Sequence, residues 1–234
     1  MKILMIHGSR QSGELFRAKL QALEKLIRRT VPLHGVELVY PTAPFQLEPS
    51  DGSSTSDLRN RHGAWSWFES ESIHGLYPGL ERGLECIGSI LRDSGPFDGI
   101  VGFSQGAAVA AMVASLLEGD RKDAFTRLEA EGGIPYPACF DTLEHPPLKF
   151  VVSISGYGAS NPDYRAFYDP GIRTPMMHFL GSMDTIVDES ASMRLVESCQ
   201  DGKNQIIWHS GGHVVPSGKR ELAAVAHFIK FSVS

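Results

Sequence analysis

The chain has no long apolar run, no basic stretch and no paired set of cysteines, and each absence removes a class of protein. The apolar run at its start, Ile3–Ile6, covers four residues before His7-Gly8. That is too short for the apolar region of a signal peptide, and no later segment reads as a membrane-spanning helix. No run of Lys and Arg exceeds the pair Arg28-Arg29 and the net charge is −5, so a nucleic-acid partner is not expected. The three cysteines, Cys86, Cys139 and Cys199, are odd in number, widely spaced and without C-x-x-C. They suit neither a disulfide framework nor a zinc site, and a reducing, cytoplasmic setting is the expectation. No internal repeat or linker divides the 234 residues, a length that fits one large α/β domain over 1–234.

What is present centres on Gly102-Phe-Ser-Gln-Gly106, with the apolar run Asp98–Val101 before it and the alanine-rich Ala107–Leu117 after it. A strand turning directly into a helix with G-x-S-x-G at the corner reads as a nucleophile elbow, which presents Ser104 at the carboxyl end of a strand. The corner is tight enough that a side chain at 102 or 106 would strike the neighbouring backbone, hence glycine at both.

Apolar runs at Lys2–Ile6, Val36–Tyr40, Asp98–Val101, Lys149–Ile154, Pro175–Leu180 and Asn204–His209 read as six strands. Helical spacing predicts a helix over about 12–29 with Ser12 as N-cap, and others around Leu80–Leu91, Met193–Cys199 and Leu222–Ile229. Strands alternating with helices imply a parallel sheet covered on both faces, with ligands at the carboxyl ends of the strands. His7-Gly8, Ser104, Asp184 and His213 each follow a predicted strand and therefore share one edge. Within 45–68 periodicity disappears from Phe45 to Gly63, with Ser50–Asp57 read as an exposed excursion. Residues 118–147 read as an insertion crossing the top of the sheet, and both segments are lid candidates.

A serine hydroxyl needs a neighbouring base to become a nucleophile at neutral pH, and a histidine does this when an acid fixes its tautomer. The order Ser104, Asp184, His213 is the nucleophile-acid-histidine order of α/β-hydrolases. Asp188 competes for the acid role but stands where a helix begins, as an N-cap would. Of nine histidines, His213 is favoured because Gly211 and Gly212 let its loop bend toward the elbow. His209 ends a strand, His227 lies within a helix, and His7 reads as a structural residue. His209-x-x-x-His213 would need a helix to bring both rings to a metal, and the two glycines oppose one; no metal is expected. The oxyanion of an acyl intermediate needs two donors. One is the Gln105 N–H, the other an N–H of Ser9 or Arg10.

The motifs Tyr40-Pro-Thr-Ala-Pro44, Trp67-Phe68, Gly95–Ala107, Ser153-Ile-Ser-Gly156, Gly181-x-x-Asp184 and Gly211-Gly-His-Val-Val-Pro216, following a strand-His-Gly start, together resemble the FSH family of small serine hydrolases. The resemblance runs from residue 3 to about 230. It implies an α/β-hydrolase fold, no cofactor, and a triad on Ser104, Asp184 and His213. Family members hydrolyse carboxylic esters, and several fungal ones release polyketide acyl chains from a carrier-protein thioester. Arg10, Arg17, Lys19, Arg59 and Arg61 would offer positive charge to an acidic acyl carrier protein, or are solvated surface residues. Trp65, Trp67 and Phe68 either plug a loop onto the core or, with Tyr157, Phe167 and Tyr168, line an acyl pocket. Beside ester or thioester hydrolysis stand a small-ester carboxylesterase and, from another class, a non-catalytic ligand-binding homologue.

Overall fold

Six apolar segments become the six strands of one parallel sheet, in an order that differs from their order in the chain. The computed structural model describes residues 1–30, 35–48, 63–69 and 74–233. Along the chain run β1 (Lys2–Ile6), α1 (Gly13–Lys19), α2 (Gln21–Thr30), β2 (Glu37–Val39), β3 (Phe45–Leu47), β4 (Ala64–Ser66), α3 (Leu80–Ser94), β5 (Gly99–Phe103) and α4 (Gln105–Leu116). They are followed by α5 (Arg121–Glu129), α6 (Ala138–Asp141), β6 (Phe150–Ile154), a 3-10 helix (Pro162–Phe167), β7 (Met176–Gly181), α7 (Glu189–Glu197), β8 (Asn204–His209) and α8 (Lys219–Ser232). The sheet order is β2-β1-β5-β6-β7-β8, and every neighbouring pair in it is parallel. The chain moves outward from β1 to β2 and then returns to add β5 on the other side. The crevice at that reversal, above the ends of β1 and β5, is where such sheets bind ligands.

Both faces of the central strands are covered, as continuous apolar strands require, while the edge strand β8 leaves Ile206 and Trp208 exposed. Leu4, Ile6, Ile100, Val151 and Met176 pack with α3 and α4 through Leu84, Ile87, Val109 and Val113. Ile3, Met5, Val101, Phe103, Val152 and Phe179 face the other way, against Phe16, Leu23, Ile27, Val225 and Ile229. Helix α4 is buried along its whole length. Its alanines let it lie against the sheet, and the elbow glycines permit the approach. A Cβ on Gly106 would come 2.4 Å from the Ile6 and His7 carbonyl oxygens, and one on Gly102 would come 2.5 Å from the Gly106 carbonyl oxygen.

The structure departs from the sequence expectations in three places. The first predicted helix is two: Ser12 caps α1 by accepting the Leu15 N–H, but the helix breaks at Leu20, whose N–H is shared between Phe16 O and Arg17 O. Residues on either side of the aperiodic stretch pair as the antiparallel strands β3 and β4, while the Ser50–Asp57 excursion lies outside the described residues. Residues 118–147, where the sequence predicts no helix, form two. They hold α5 and α6, and bonds from Tyr136 Oη to the Leu116 carbonyl and from the Phe97 N–H to His145 Nε2 tie them beside α4 and below β5.

Candidate active site

Ser104 stands between β5 and α4 with φ 53° and ψ −121°, a backbone conformation that β-carbon-bearing residues rarely adopt. Its N–H is held by the Ile154 carbonyl of the neighbouring strand, so the strain is stabilised from outside the turn. The Ser104 hydroxyl lies 2.8 Å from His213 Nε2, and His213 Nδ1 lies 2.8 Å from Asp184 Oδ2. An ionised carboxylate only accepts, so Nδ1 carries the proton and Nε2 is left to accept from the serine.

The other oxygen of Asp184 accepts the N–H groups of Ile186 (2.9 Å) and Val187 (3.0 Å). Burial opposes ionisation of this carboxyl, but the Val187 N–H, His213 and the Ile186 N–H outweigh it and hold the group below the ordinary aspartate value. Asp188 serves the helix instead, its carboxylate capping α7 by accepting the Ala191 N–H. His209, the strand-end alternative to His213, accepts the Gly211 N–H on Nδ1. His7 is fully engaged as a structural residue, with Nδ1 donating to the Gly8 carbonyl and Nε2 accepting the Ala43 N–H. Burial pushes its pKa down to about 4.

Of the two N-terminal candidates for oxyanion donor, Arg10 has its N–H engaged by the Trp65 carbonyl (2.8 Å). Ser9 lines the cavity of about 370 Å³ that opens over Ser104 and His213. Gln11, Lys19, Phe103, Val214 and Val215 complete its wall. The Gln105 N–H, in the first turn of α4, has no intrahelical acceptor available to it.

The aromatic residues divide differently from the pocket expectation. Trp67, Phe68 and Phe167 are at most 1% exposed and belong to the core; they line neither this cavity nor its mouth. Trp67 donates its indole N–H to the His7 carbonyl (2.8 Å), and Phe68 stacks on Tyr77 at 4.5 Å. This is the loop plug of the two readings. Tyr157 packs edge-on against Tyr77, and Tyr168 lines a different depression beside Arg194. The apolar wall of the cavity is supplied by Phe103, Val214 and Val215, which flank Ser104 and His213 in sequence; that adjacency was the available signal.

Residues 1–225 match the family described as Serine hydrolase (FSH1). The chain is 34% identical over 225 residues to a Schizosaccharomyces pombe protein named dihydrofolate reductase, covering 92% of this chain but only 44% of that protein. It is 30% identical over 238 residues to Family of serine hydrolases 2 of Saccharomyces cerevisiae, covering 97% of each. Among solved structures, acyl-protein thioesterase 2 of Zea mays superposes with a TM-score of 0.60 at 20% identity, over 100% of this chain and 94% of that one. That likeness is one of fold, the α/β-hydrolase fold. No helix among the described residues is long and apolar enough to cross a membrane.

Proposed function

The chain belongs to the FSH1 family of serine hydrolases, and on that premise we propose that it cleaves carboxylic esters or acyl thioesters through an acyl intermediate on Ser104. The observation that carries this is the continuous hydrogen-bonded line Asp184–His213–Ser104, with both contacts at 2.8 Å. In the first half-reaction His213 takes the hydroxyl proton as Ser104 Oγ bonds to the acyl carbon. The tetrahedral oxyanion is received by the N–H groups of Gln105 and Ser9, and it collapses as His213 returns the proton to the departing alcohol or thiol. A water then repeats the sequence on the acyl-serine, releasing the acid and restoring Ser104. Asp184 stays ionised throughout and stabilises the imidazolium.

The walls Phe103, Val214 and Val215 suit the apolar part of an acyl substrate. A narrower reading, release of an acyl chain from a carrier protein, is favoured by one feature: Lys19 lines the cavity, where it would meet the phosphate of a carrier's prosthetic arm. Arg17 is drawn to Glu24 and Tyr40 instead, and Arg59 and Arg61 lie outside the described residues.

Labelling with a fluorophosphonate followed by peptide mass spectrometry tests the first reading, with Ser104→Ala as the control. Labelling of Ser104 and loss of esterase activity in the variant are expected. Full activity in Ser104→Ala would end it, and absence of labelling would favour a non-catalytic binding protein. The narrower reading requires that Lys19→Glu lower turnover of carrier-bound thioester more than that of a free thioester.

A further inference from the structure

We propose that Trp65–Phe68 is the positioning element of the oxyanion hole, holding one donor through the Gln105 side chain and the loop of the other through Arg10 and Gln11. The proposal rests on the acyl-Ser104 reading and assigns a role to residues that the triad does not explain.

On one side, the carboxamide of Gln105 is buried and fully paired. Its Oε1 accepts the Trp67 N–H (2.8 Å) and lies 2.9 Å from the Ser66 hydroxyl, which is shared with the Phe68 carbonyl, and its Nε2 donates to that carbonyl (2.9 Å). Gln105 is also the residue whose backbone N–H follows the nucleophile, so these three bonds fix the plane of the peptide that must meet the oxyanion. Glutamine fits because the three contacts demand an acceptor and a donor on one planar group. Glutamate would set a carboxylate against the Phe68 carbonyl.

On the other side, Trp65 exchanges two backbone bonds with the loop after β1. The Arg10 N–H donates to the Trp65 carbonyl (2.8 Å), and the Trp65 N–H donates to the Gln11 carbonyl (3.0 Å). Arg10 has φ 60°, a left-handed conformation that a residue with a β-carbon holds only when its surroundings impose it. The indole of Trp67 adds a third tie, to the His7 carbonyl, and its ring lies 5.2 Å from the His7 ring. His7 in turn donates to the Gly8 carbonyl immediately before Ser9. Four consecutive residues therefore grip both segments whose N–H groups must converge. Convergence to within hydrogen-bond distance of the developing oxyanion is the geometric requirement of such a hole.

The test uses three variants of the full chain, Gln105→Glu, Ser66→Ala and Trp67→Phe, the last keeping an aromatic ring while deleting the indole N–H. Each is measured for kcat and KM on p-nitrophenyl butyrate, for inhibition by a trifluoromethyl ketone of matched acyl chain, and for its thermal midpoint. The expected result is a kcat lower by about 10- to 100-fold with KM changed less than about threefold, and weaker ketone inhibition in proportion, as follows when only the transition state loses stabilisation. Wild-type kcat and ketone affinity in variants that are folded at the assay temperature, with only the thermal midpoint lowered, would overturn the proposal and leave a packing role. Should Gln105→Glu fail to fold, the Ser66 and Trp67 variants decide. Ser104→Ala is run beside them. Its retained activity would sink the acyl-serine reading and this proposal with it, whereas an inactive Ser104→Ala alongside unimpaired brace variants refutes the brace alone.

Discussion

Gly181 lies directly beneath the turn that carries His213: a Cβ at residue 181 would come 2.6 Å from the Gly212 carbonyl oxygen. The Ser182 N–H donates to the His209 carbonyl (2.9 Å) and the Met183 N–H to the Gly211 carbonyl (3.2 Å). The end of β7, just before Asp184, and the loop after β8, which carries His213, are thus interlocked through their backbones.

Gly181→Ala is therefore expected to push the His213 loop away from Ser104. A displacement on the order of 1 Å corresponds to a loss of about 100-fold in kcat/KM. Steady-state kinetics on the folded variant check this, and a wild-type kcat/KM would show that the two loops move independently.

The two aspartates four residues apart separate cleanly. Asp184→Asn removes the acceptor that fixes the His213 tautomer and is expected to lower kcat by about 10⁴-fold. Asp188→Ala removes a helix cap and is expected to lower the urea midpoint with kcat nearly unchanged. Kinetics and urea denaturation on both variants distinguish the roles; a large kcat loss in Asp188→Ala would reassign the acid.

Two buried histidines make stability depend on pH. Burial holds His7 and His178 at pKa values of about 4, below the unfolded value near 6.5. Between about pH 6.5 and 4 the unfolded chain binds protons that the native state does not, so stability falls as pH drops through this window and is unaffected above it. The full loss is roughly 3 kcal/mol per histidine. Urea midpoints from pH 7 down to pH 4 measure it, and His178→Gln should flatten the dependence. Equal slopes in the wild type and the variant would count against His178 as a source.

A buried ion pair fastens the start of α5 to the segment before β7. Glu118 Oε2 lies 2.9 Å from Arg121, its Oε1 accepts the N–H groups of Arg173 (2.8 Å) and Thr174 (3.0 Å), and Arg121 donates to the Ala166 and Pro170 carbonyls. Arg121→Met leaves Glu118 with the partly exposed Arg173, at 3.8 Å, as a remaining cationic partner, and is expected to destabilise the protein by about 3 kcal/mol. Adding Glu118→Gln should restore part of that. Denaturation of the single and double variants tests the pair, and a single variant within about 1 kcal/mol of wild type would refute its importance.

That Ser104, Asp184 and His213 share one edge was legible because each follows a segment that reads as a strand, and strand ends in a parallel sheet lie together. The capping role of Asp188 was legible for the same local reason. Strands β3 and β4 were not: at three residues each they are too short to show alternation, and they pair across a stretch with no periodicity. The alliance of Gln105 with Ser66, Trp67 and Phe68 was equally hidden, since nothing local in G-x-S-x-G says what the residue after the serine touches. The path of 118–147 depends on long-range bonds such as that from Phe97 to His145, which carry no sequence signal.

Helix α4 has no face turned to water, so its amide protons become exchangeable only when the molecule opens as a whole. In native-state hydrogen exchange it therefore belongs to the slowest-exchanging set, together with the strands it covers. The loops bearing Asp184 and His213, with Met183, Ile186 and Val214 more than half exposed, belong to the faster set. Ser104 is thus held by the core, while the loops carrying Asp184 and His213 are the more open part of the site.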